Sequence, residues 1–242
     1  MSKETKISAG SYELNKFLEG GYETDIISMI VGPAGSGKTN FTSIVSVSQA
    51  KKGNKVIFMD TEGGFSLDRI KQISGENYDK VIENILVLKP TSFEEQEKEF
   101  NKLLKLLNDK QIELIIVDGM TMLYRLKLGE VRGSEDEIKR INNSLARQMR
   151  TLAEIARTQS IPVLITNQVY YDFLSDEDFK QGKQREVHFV GGDLMKYWSK
   201  CIIELKTEGG KRKAILRKHR SVREKELPFE IVKEGIRKKG WI

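Results

Sequence analysis

The stretch Ile26–Thr39, IISMIVGPAGSGKT, constrains the fold more than any other part of the chain. Its apolar run (Ile26, Ile27, Met29, Ile30, Val31) is of the kind found in a strand buried on both faces, and it stops at Gly32. Gly32, Pro33, Ala34, Gly35, Ser36, Gly37, Lys38, Thr39 and Asn40 then lead into a helix. The spacing Gly-x4-Gly-Lys-Thr has a physical purpose. Glycines let successive backbone N–H groups turn toward phosphate oxygens, with the positive end of the helix dipole behind them. Lys38 reaches the terminal phosphates and the Thr39 hydroxyl ligates Mg²⁺. A nucleoside triphosphate with Mg²⁺ is the expected ligand.

Alternation along the rest of the chain supplies a sheet for that loop to sit on. Lys55–Asp60 reads as a second buried strand, Ile85–Leu88 as a third, Leu114–Asp118 as a fourth and Val163–Asn167 as a fifth. Helices are expected between them: about Thr39–Lys52, ended by Gly53, and a weaker Leu67–Ile73. Ser92-x-x-Glu95 opens another, with Phe93, Phe100, Leu103, Leu104 and Leu107 on one face. Ser134-x-x-Glu137 opens a fourth, striped by Ile138, Ile141, Leu145, Leu152 and Ile155. Tyr124–Gly133 reads as a loop carrying Arg125, Lys127 and Arg132. Strands and helices alternating at this length describe an α/β fold, a mostly parallel twisted sheet with helices on both faces.

After Gln168 the pattern changes. Tyr170–Val187 is polar, has no clear period and is too long for a simple connection; such segments are functional or disordered. Cys201–Thr207 and Arg212–Lys218 flank Glu208-Gly209-Gly210-Lys211, a hairpin signal, and Leu227–Val232 adds a further strand. With no linker between them, this antiparallel extension belongs to the same sheet. The 242 residues fit one domain, 1–242. One cysteine, Cys201, cannot form an internal disulfide and fits a reducing, cytoplasmic compartment. No apolar run approaches the roughly 20 residues that span a bilayer.

The net charge of +6 is unevenly placed. Met195–Ile242 holds 15 Lys/Arg against 6 Asp/Glu, whereas the remainder holds 26 against 29. A basic end on a near-neutral body suits a polyanion, although solvated lysines are the commoner reason for such runs.

Several residues carry chemistry by type and place. Asp118 ends an apolar strand, where a carboxylate holds Mg²⁺ opposite the Thr39 hydroxyl. Glu62 follows the second strand, on the rim where α/β sheets bind ligands, and is suited to orienting and deprotonating an attacking water. Gln168 ends the fifth strand on that rim, its amide suited to sensing a γ-phosphate and passing the state to the long loop. Lys218 and Arg220 end a strand; they serve either as a phosphate-neutralising finger for a neighbouring subunit or as ordinary surface charges. His188 and His219 have no partner at metal-ligand spacing, so no zinc is expected.

GPAGSGKTN, DTEGGFSLDRI, LIIVDG, VLITNQV and VGGDLMKYWSKCIIEL, in this order and spacing, resemble the RecA-like recombinase core. Within it they are most similar to the archaeal RadB group, short paralogues of the recombinase RadA. The resemblance runs from Ile7 to about Ile236, and DTEGGF and TNQV are more specific than the phosphate loop. It implies ATP at Gly32–Thr39, Mg²⁺ on Thr39 and Asp118, Glu62 as water-activating glutamate and Gln168 as γ-phosphate sensor. It also implies Arg69 packed against adenine, and Lys218 and Arg220 acting across subunits. Tyr124–Gly133 and Tyr170–Val187 would face DNA. Their Arg125, Lys127, Arg132, Lys180, Lys183 and Arg185, with Tyr170, Tyr171 and Phe173, offer cations and stacking surfaces for single strands.

Two departures shape the expected function. Full recombinases carry a helical DNA-binding domain ahead of this core, where here about 25 residues precede the first strand. They also carry a Phe-x-x-Ala polymerisation segment, and Phe17-Leu18-Glu19-Gly20 lacks the alanine. The expectation is an ATP- and DNA-binding accessory protein of recombination and repair. It would have weak ATPase chemistry and would assist RadA and a Holliday-junction-processing nuclease rather than exchange strands. A KaiC-like signalling ATPase with a protein partner is the alternative.

Overall fold

The computed structural model describes residues 5–109, 112–131, 133–171 and 187–240. In chain order the elements are β1 (Lys6–Ile7), α1 (Tyr12–Phe17), β2 (Tyr22–Glu23), β3 (Ile27–Gly32), α2 (Lys38–Lys51) and β4 (Lys55–Asp60). Then come α3 (Leu67–Ser74), α4 (Tyr78–Ile82), β5 (Ile85–Leu88), α5 (Phe93–Asp109), β6 (Ile112–Asp118), α6 (Met122–Glu130) and α7 (Glu135–Gln159). The last are β7 (Val163–Tyr171), β8 (Val187–Phe189), α8 (Gly192–Trp198), β9 (Ser199–Glu208), β10 (Lys211–Lys218), β11 (Lys225–Val232) and β12 (Gly235–Lys238).

One ten-stranded sheet runs in the order β12-β11-β10-β9-β3-β7-β6-β4-β5, with β8 paired to β7. From β9 to β5 every pairing is parallel; β9 to β12 are antiparallel, so the C-terminal strands extend the same sheet. Alternate residues of the central strands feed two apolar layers. Ile30, Val56, Phe58, Ile116 and Leu164 pack with α2 on one face; Met29, Val31, Ile57, Val117 and Ile165 pack with α5 and α7 on the other. Every residue of β3 is buried, as its unbroken apolar run requires.

Helix α2 is unusual for its hydroxyls: Thr42, Ser43 and Ser46 are all buried. Each donates to a carbonyl one turn back, Thr42 and Ser43 to Thr39 and Ser46 to Thr42, so none is left unsatisfied. That lets the helix be covered on nearly every side, by the sheet and by α3 and α4. At the start of α5, Ser92 accepts from the Glu95 N–H (3.1 Å), while Glu95 reaches past Ser92 to the Thr91 N–H (2.7 Å). The capping box forms one residue wide of its usual reciprocal pair.

Two segments differ from expectation. Tyr124–Gly133 is mostly the helix α6, not a loop. Leu123 and Tyr124 are buried, Leu128 packs against the same layer, and the Tyr124 hydroxyl donates to Asn142 of α7 (2.8 Å). Arg125 and Lys127, two of the cations that made the segment look loop-like, ride the outer side of that helix. The fifth strand also does not stop at Asn167: Val169–Tyr171 continue it and pair antiparallel with Val187–Phe189. The ends of the long polar segment thus form a β arm, and its middle lies outside the described residues. The short first segment folds as well: Ser11 caps α1, and Leu14, Phe17 and Leu18 enter the core.

The antiparallel extension is fastened through aromatic packing. Phe229 of β11 meets Phe41 of α2 edge-on, 5.2 Å between centroids, and both are buried. Replacing Phe229 with Ala is expected to lower stability by about 3–5 kcal/mol, read as a shifted denaturant midpoint with unchanged m-value.

Candidate nucleotide site

The register of four parallel strands assembles one rim. β3 and β7 pair so that Gly32 lies opposite Gln168, and β4 and β6 so that Asp60 lies opposite Asp118. The phosphate loop, the 60–65 turn and the end of β7 therefore meet at the carboxyl ends of the strands, where α/β sheets bind ligands.

Gly32 is required by space: a Cβ there would sit 2.6 Å from the Leu205 carbonyl oxygen and 2.7 Å from Ser36 Oγ. Ala34 and Gly35 form the open tip, and Gly37 caps α2 in a left-handed conformation (φ 108°). Ser36 Oγ is fully buried and has no hydrogen-bond partner in the structure. An orphaned hydroxyl inside a loop of this shape fits a phosphate oxygen as its missing acceptor. Lys38, buried, donates to the carbonyls of Gly32 (2.9 Å) and Pro33 (3.0 Å), so its ammonium lies across the loop's own mouth. Burial lowers its pKa, opposed by the charges of Glu62 and Asp118.

Thr39 Oγ1 donates to Asp118 Oδ2 at 2.7 Å, which brings together the two residues expected to hold Mg²⁺. The other Asp118 oxygen accepts from Thr166 at 2.6 Å. Burial raises the Asp118 pKa, with the two hydroxyl bonds pulling against it. A buried carboxylate held by two hydroxyls, with no Lys or Arg paired to it among the described residues, suits a divalent ion. Gly64 lies over this pair, since a Cβ on it would meet Thr39 Oγ1 at 3.3 Å.

Glu62 and Gln168 also meet: Gln168 Nε2 donates to Glu62 Oε1 at 3.2 Å. Gly119 makes room for them. A Cβ at that position would fall 2.6 Å from Glu62 Cγ, and its φ of 88° disfavours any side chain. Sequence reasoning missed Asp60. Its two oxygens accept from the N–H groups of Gly64 (3.0 Å) and Phe65 (2.9 Å), folding the turn that presents Glu62. A strand-end carboxylate three residues before the pair Gly63-Gly64 is the available signal, since Asp side chains readily accept from the backbone of a following turn.

Other expected site residues are placed differently. Arg69 bonds Asn40 Oδ1 (2.8 Å), which puts it one turn from the loop, but it also holds the carbonyls of Val232, Lys233 and Gly235. It ties the β11–β12 turn to α3 at the edge of the site. Arg125 is exposed on α6, whereas Lys127 is paired with Glu94 (2.7 Å) and Glu130 (3.2 Å). Tyr170 and Tyr171 lie in the β arm opposite His188 and Val187. Arg132, Phe173, Lys180, Lys183 and Arg185 lie outside the described residues. Cys201 is buried, its thiol pushed up to about 12 mainly by desolvation.

Lys218 and Arg220 do not share a strand face, because β10 ends at Lys218 and Arg220 lies in the following turn. Lys218 donates to the Lys196 carbonyl (2.8 Å). Arg220 grips Asp25 through two bonds (2.6 and 2.8 Å) and Glu23 through a third (3.1 Å).

A family model described as Rad51 matches residues 2–239. The chain belongs to the Rad51 family. The protein named DNA repair and recombination protein RadB of Methanobrevibacter smithii is 42% identical to it over 231 residues, 92% of each chain. Its namesake from Methanocaldococcus jannaschii is 41% identical over 225 residues, 92% of this chain and 98% of that one. A third, from Methanothermobacter thermautotrophicus, is 37% identical over 228 residues. The resemblance to archaeal RadB seen in the motifs thus holds along nearly the whole chain. Among the described residues no helix is long and apolar enough to cross a membrane.

The Arg220 pairing gives a pH test. Its bonds to Asp25 hold that carboxyl below its usual value of 3.8. A depressed carboxylate contributes stability above its unfolded pKa and loses it as pH falls through the folded one. Arg220→Ala is expected to cost up to about 1 kcal/mol at neutral pH. The difference from wild type should shrink as pH drops below 3.8, measured as melting temperature against pH.

Proposed function

We propose that this chain is an ATP- and DNA-binding accessory protein of homologous recombination and repair, with slow Mg²⁺-dependent ATPase activity. It assists or regulates the RadA recombinase and the processing of branched DNA with a Holliday-junction nuclease, rather than exchanging strands itself. The observation that carries the reading is the meeting of two pairs on one rim: Thr39 with Asp118, and Glu62 with Gln168. Support also comes from the relatives, each named a DNA repair and recombination protein.

In this reading the loop amides and Lys38 bind the triphosphate, Lys38 giving up the Gly32 and Pro33 carbonyls to do so. Thr39 and Asp118 hold Mg²⁺, which neutralises charge on the phosphate oxygens when bound. Glu62 takes a proton from water as the water oxygen bonds to the γ-phosphorus and ADP leaves. Gln168 orients that water or the γ-phosphate through the amide that now reaches Glu62. Arg69 lies beside the base, and Lys218 and Arg220 would face a neighbouring subunit's nucleotide. Arg125, Lys127 and Arg132, with Tyr170 and Tyr171 of the β arm and with Lys180, Lys183 and Arg185, contact single-stranded or branched DNA.

Two features favour slow turnover over filament-driven strand exchange. Arg220 must leave Asp25 and Glu23 before it can serve another subunit. Phe17, in the segment nearest to a Phe-x-x-Ala polymerisation motif, is buried at 5% exposure in its own core and is not offered to a neighbour.

Phosphate release and DNA affinity test the proposal together. Glu62→Gln should slow phosphate release by about 10²-fold with ATP affinity unchanged, and Lys38→Ala should abolish ATP binding. Affinity for a single-stranded oligonucleotide should fall steeply as salt rises. Unchanged phosphate release in Glu62→Gln removes the glutamate's role, and no DNA binding at low salt removes the accessory function.

A further inference from the structure

Midway along β7 the chain is polar for three residues, Thr166-Asn167-Gln168; Thr166 and Gln168 reach the rim residues Asp118 and Glu62, and Asn167 does not. Thr166 and Asn167 are wholly buried. Thr166 accepts the Gly119 N–H on its hydroxyl (2.7 Å) and the Met120 N–H on its carbonyl (3.0 Å), which fixes the chain leaving β6. Asn167 uses both ends of its carboxamide. Oδ1 accepts from the hydroxyl of Thr121, the residue that precedes α6, and from the Gln168 N–H at 2.9 Å. Nδ2 donates to the Val190 carbonyl at 2.8 Å, just after the chain returns through β8. The Val190 N–H answers with a bond to the Gln168 carbonyl at 3.4 Å.

One buried amide therefore touches the approaches to both segments assigned to DNA: the N-cap of α6, and the residue where the β7–β8 arm rejoins the body. Its neighbour along the chain is Gln168, whose side chain meets Glu62. If either segment moved alone, Asn167, itself wholly buried, would lose a bond to its carboxamide, a loss that costs most on the buried Thr121 side. The segments are thus favoured to move together, and with the backbone of Gln168. An apolar residue of similar size would fill the space equally well, so packing alone does not call for an amide.

We infer that Asn167 is a positioning residue that couples α6 and the β arm to the Glu62–Gln168 pair, so that nucleotide state reaches both DNA-facing segments at once. This rests on the ATP and DNA binding proposed above and adds to it the residue through which the two are linked.

Linked binding gives a readout that a purely structural role would not move. If ATP tightens DNA binding by some factor, DNA must tighten ATP binding by the same factor. The test titrates the full chain with a non-hydrolysable ATP analogue, with and without a single-stranded oligonucleotide, and the oligonucleotide with and without the analogue. The wild-type factor is expected to be on the order of tenfold. Asn167→Ala should bring it to within about twofold of unity while leaving analogue affinity in the absence of DNA unchanged. Thr121→Val, which removes only the tie to α6 and keeps the shape, should lose part of the factor, and it keeps the inference testable should Asn167→Ala fold poorly. A wild-type factor in both variants overturns the inference, as does a factor of one in the wild type. Failure of the wild type to bind either ligand would instead overturn the proposed function, and this inference with it.

Discussion

The pairing of β3 with β7 sets Gly32 against Gln168, and the rim depends on that register. A slip of one residue would turn every side chain of β7 to the opposite face, sending Ile165 and Val163 out of their layer. The two apolar layers hold the register far more firmly than any bond at the site does. Positions for chemistry are therefore set from below, by side chains that touch no ligand. The 60–65 turn, folded by Asp60, and the tight Gly119 add the last few ångströms that bring Glu62 to Gln168.

Much of this was legible in the sequence, for identifiable reasons. β3, β4 and β6 are short apolar runs that stop at glycine or a carboxylate, and β5 is one that stops before Lys89-Pro90; their composition marks such strands. Thr39, Glu62 and Asp118 follow or end β3, β4 and β6, Gln168 follows the apolar part of β7, and a parallel sheet puts all these positions on one side. The segments that misled were those whose polarity and structure disagree. α6 shows cations because only its Leu123, Tyr124 and Leu128 side is covered. The arm hid its strands because they are only three paired residues long, too short to generate a period, although Val169 and Phe189 pack against the apolar layer. Asp60, Thr166 and Asn167 escaped notice because their partners are backbone groups or residues distant in sequence, which spacing does not reveal.

The site also shows how a buried polar cluster is made tolerable. Asp118, Thr39, Thr61, Thr121, Thr166 and Asn167 lie among strand ends, where backbone carbonyls and amides run out of ladder partners. Thr61 Oγ1 lies within bonding distance of the carbonyls of Asp118 (3.0 Å) and Gly119 (2.7 Å), and Asn167 serves Val190. The side chains thereby replace sheet bonds where the strands diverge into loops. Ser36 alone in this region lacks a partner, and it belongs to the phosphate loop itself.

The basic C-terminal end reads differently once its partners are known. Lys206, Lys213, Arg217, Arg220, Lys225 and Arg237 are each within ion-pair distance of a glutamate or aspartate. Lys206, Lys213, Arg217 and Arg237 meet glutamates of the same C-terminal stretch, within or between its strands, whereas Arg220 and Lys225 reach Glu23, Asp25 and Glu19 of the first segment and offset part of the excess. Lys196, Lys200 and Lys218 are different: none has a carboxylate partner among the described residues, and they converge beside α8. Lys218 bonds the Lys196 carbonyl, Lys200 lies over the ring of Tyr197, and Lys196 lies over Phe189. Mutual repulsion and burial lower the Lys218 pKa, burial being the larger cause. Part of the unneutralised charge is therefore gathered at the foot of the β7–β8 arm, and part lies along the hairpins, where Lys211, Arg212 and Lys238 have no carboxylate partner among the described residues.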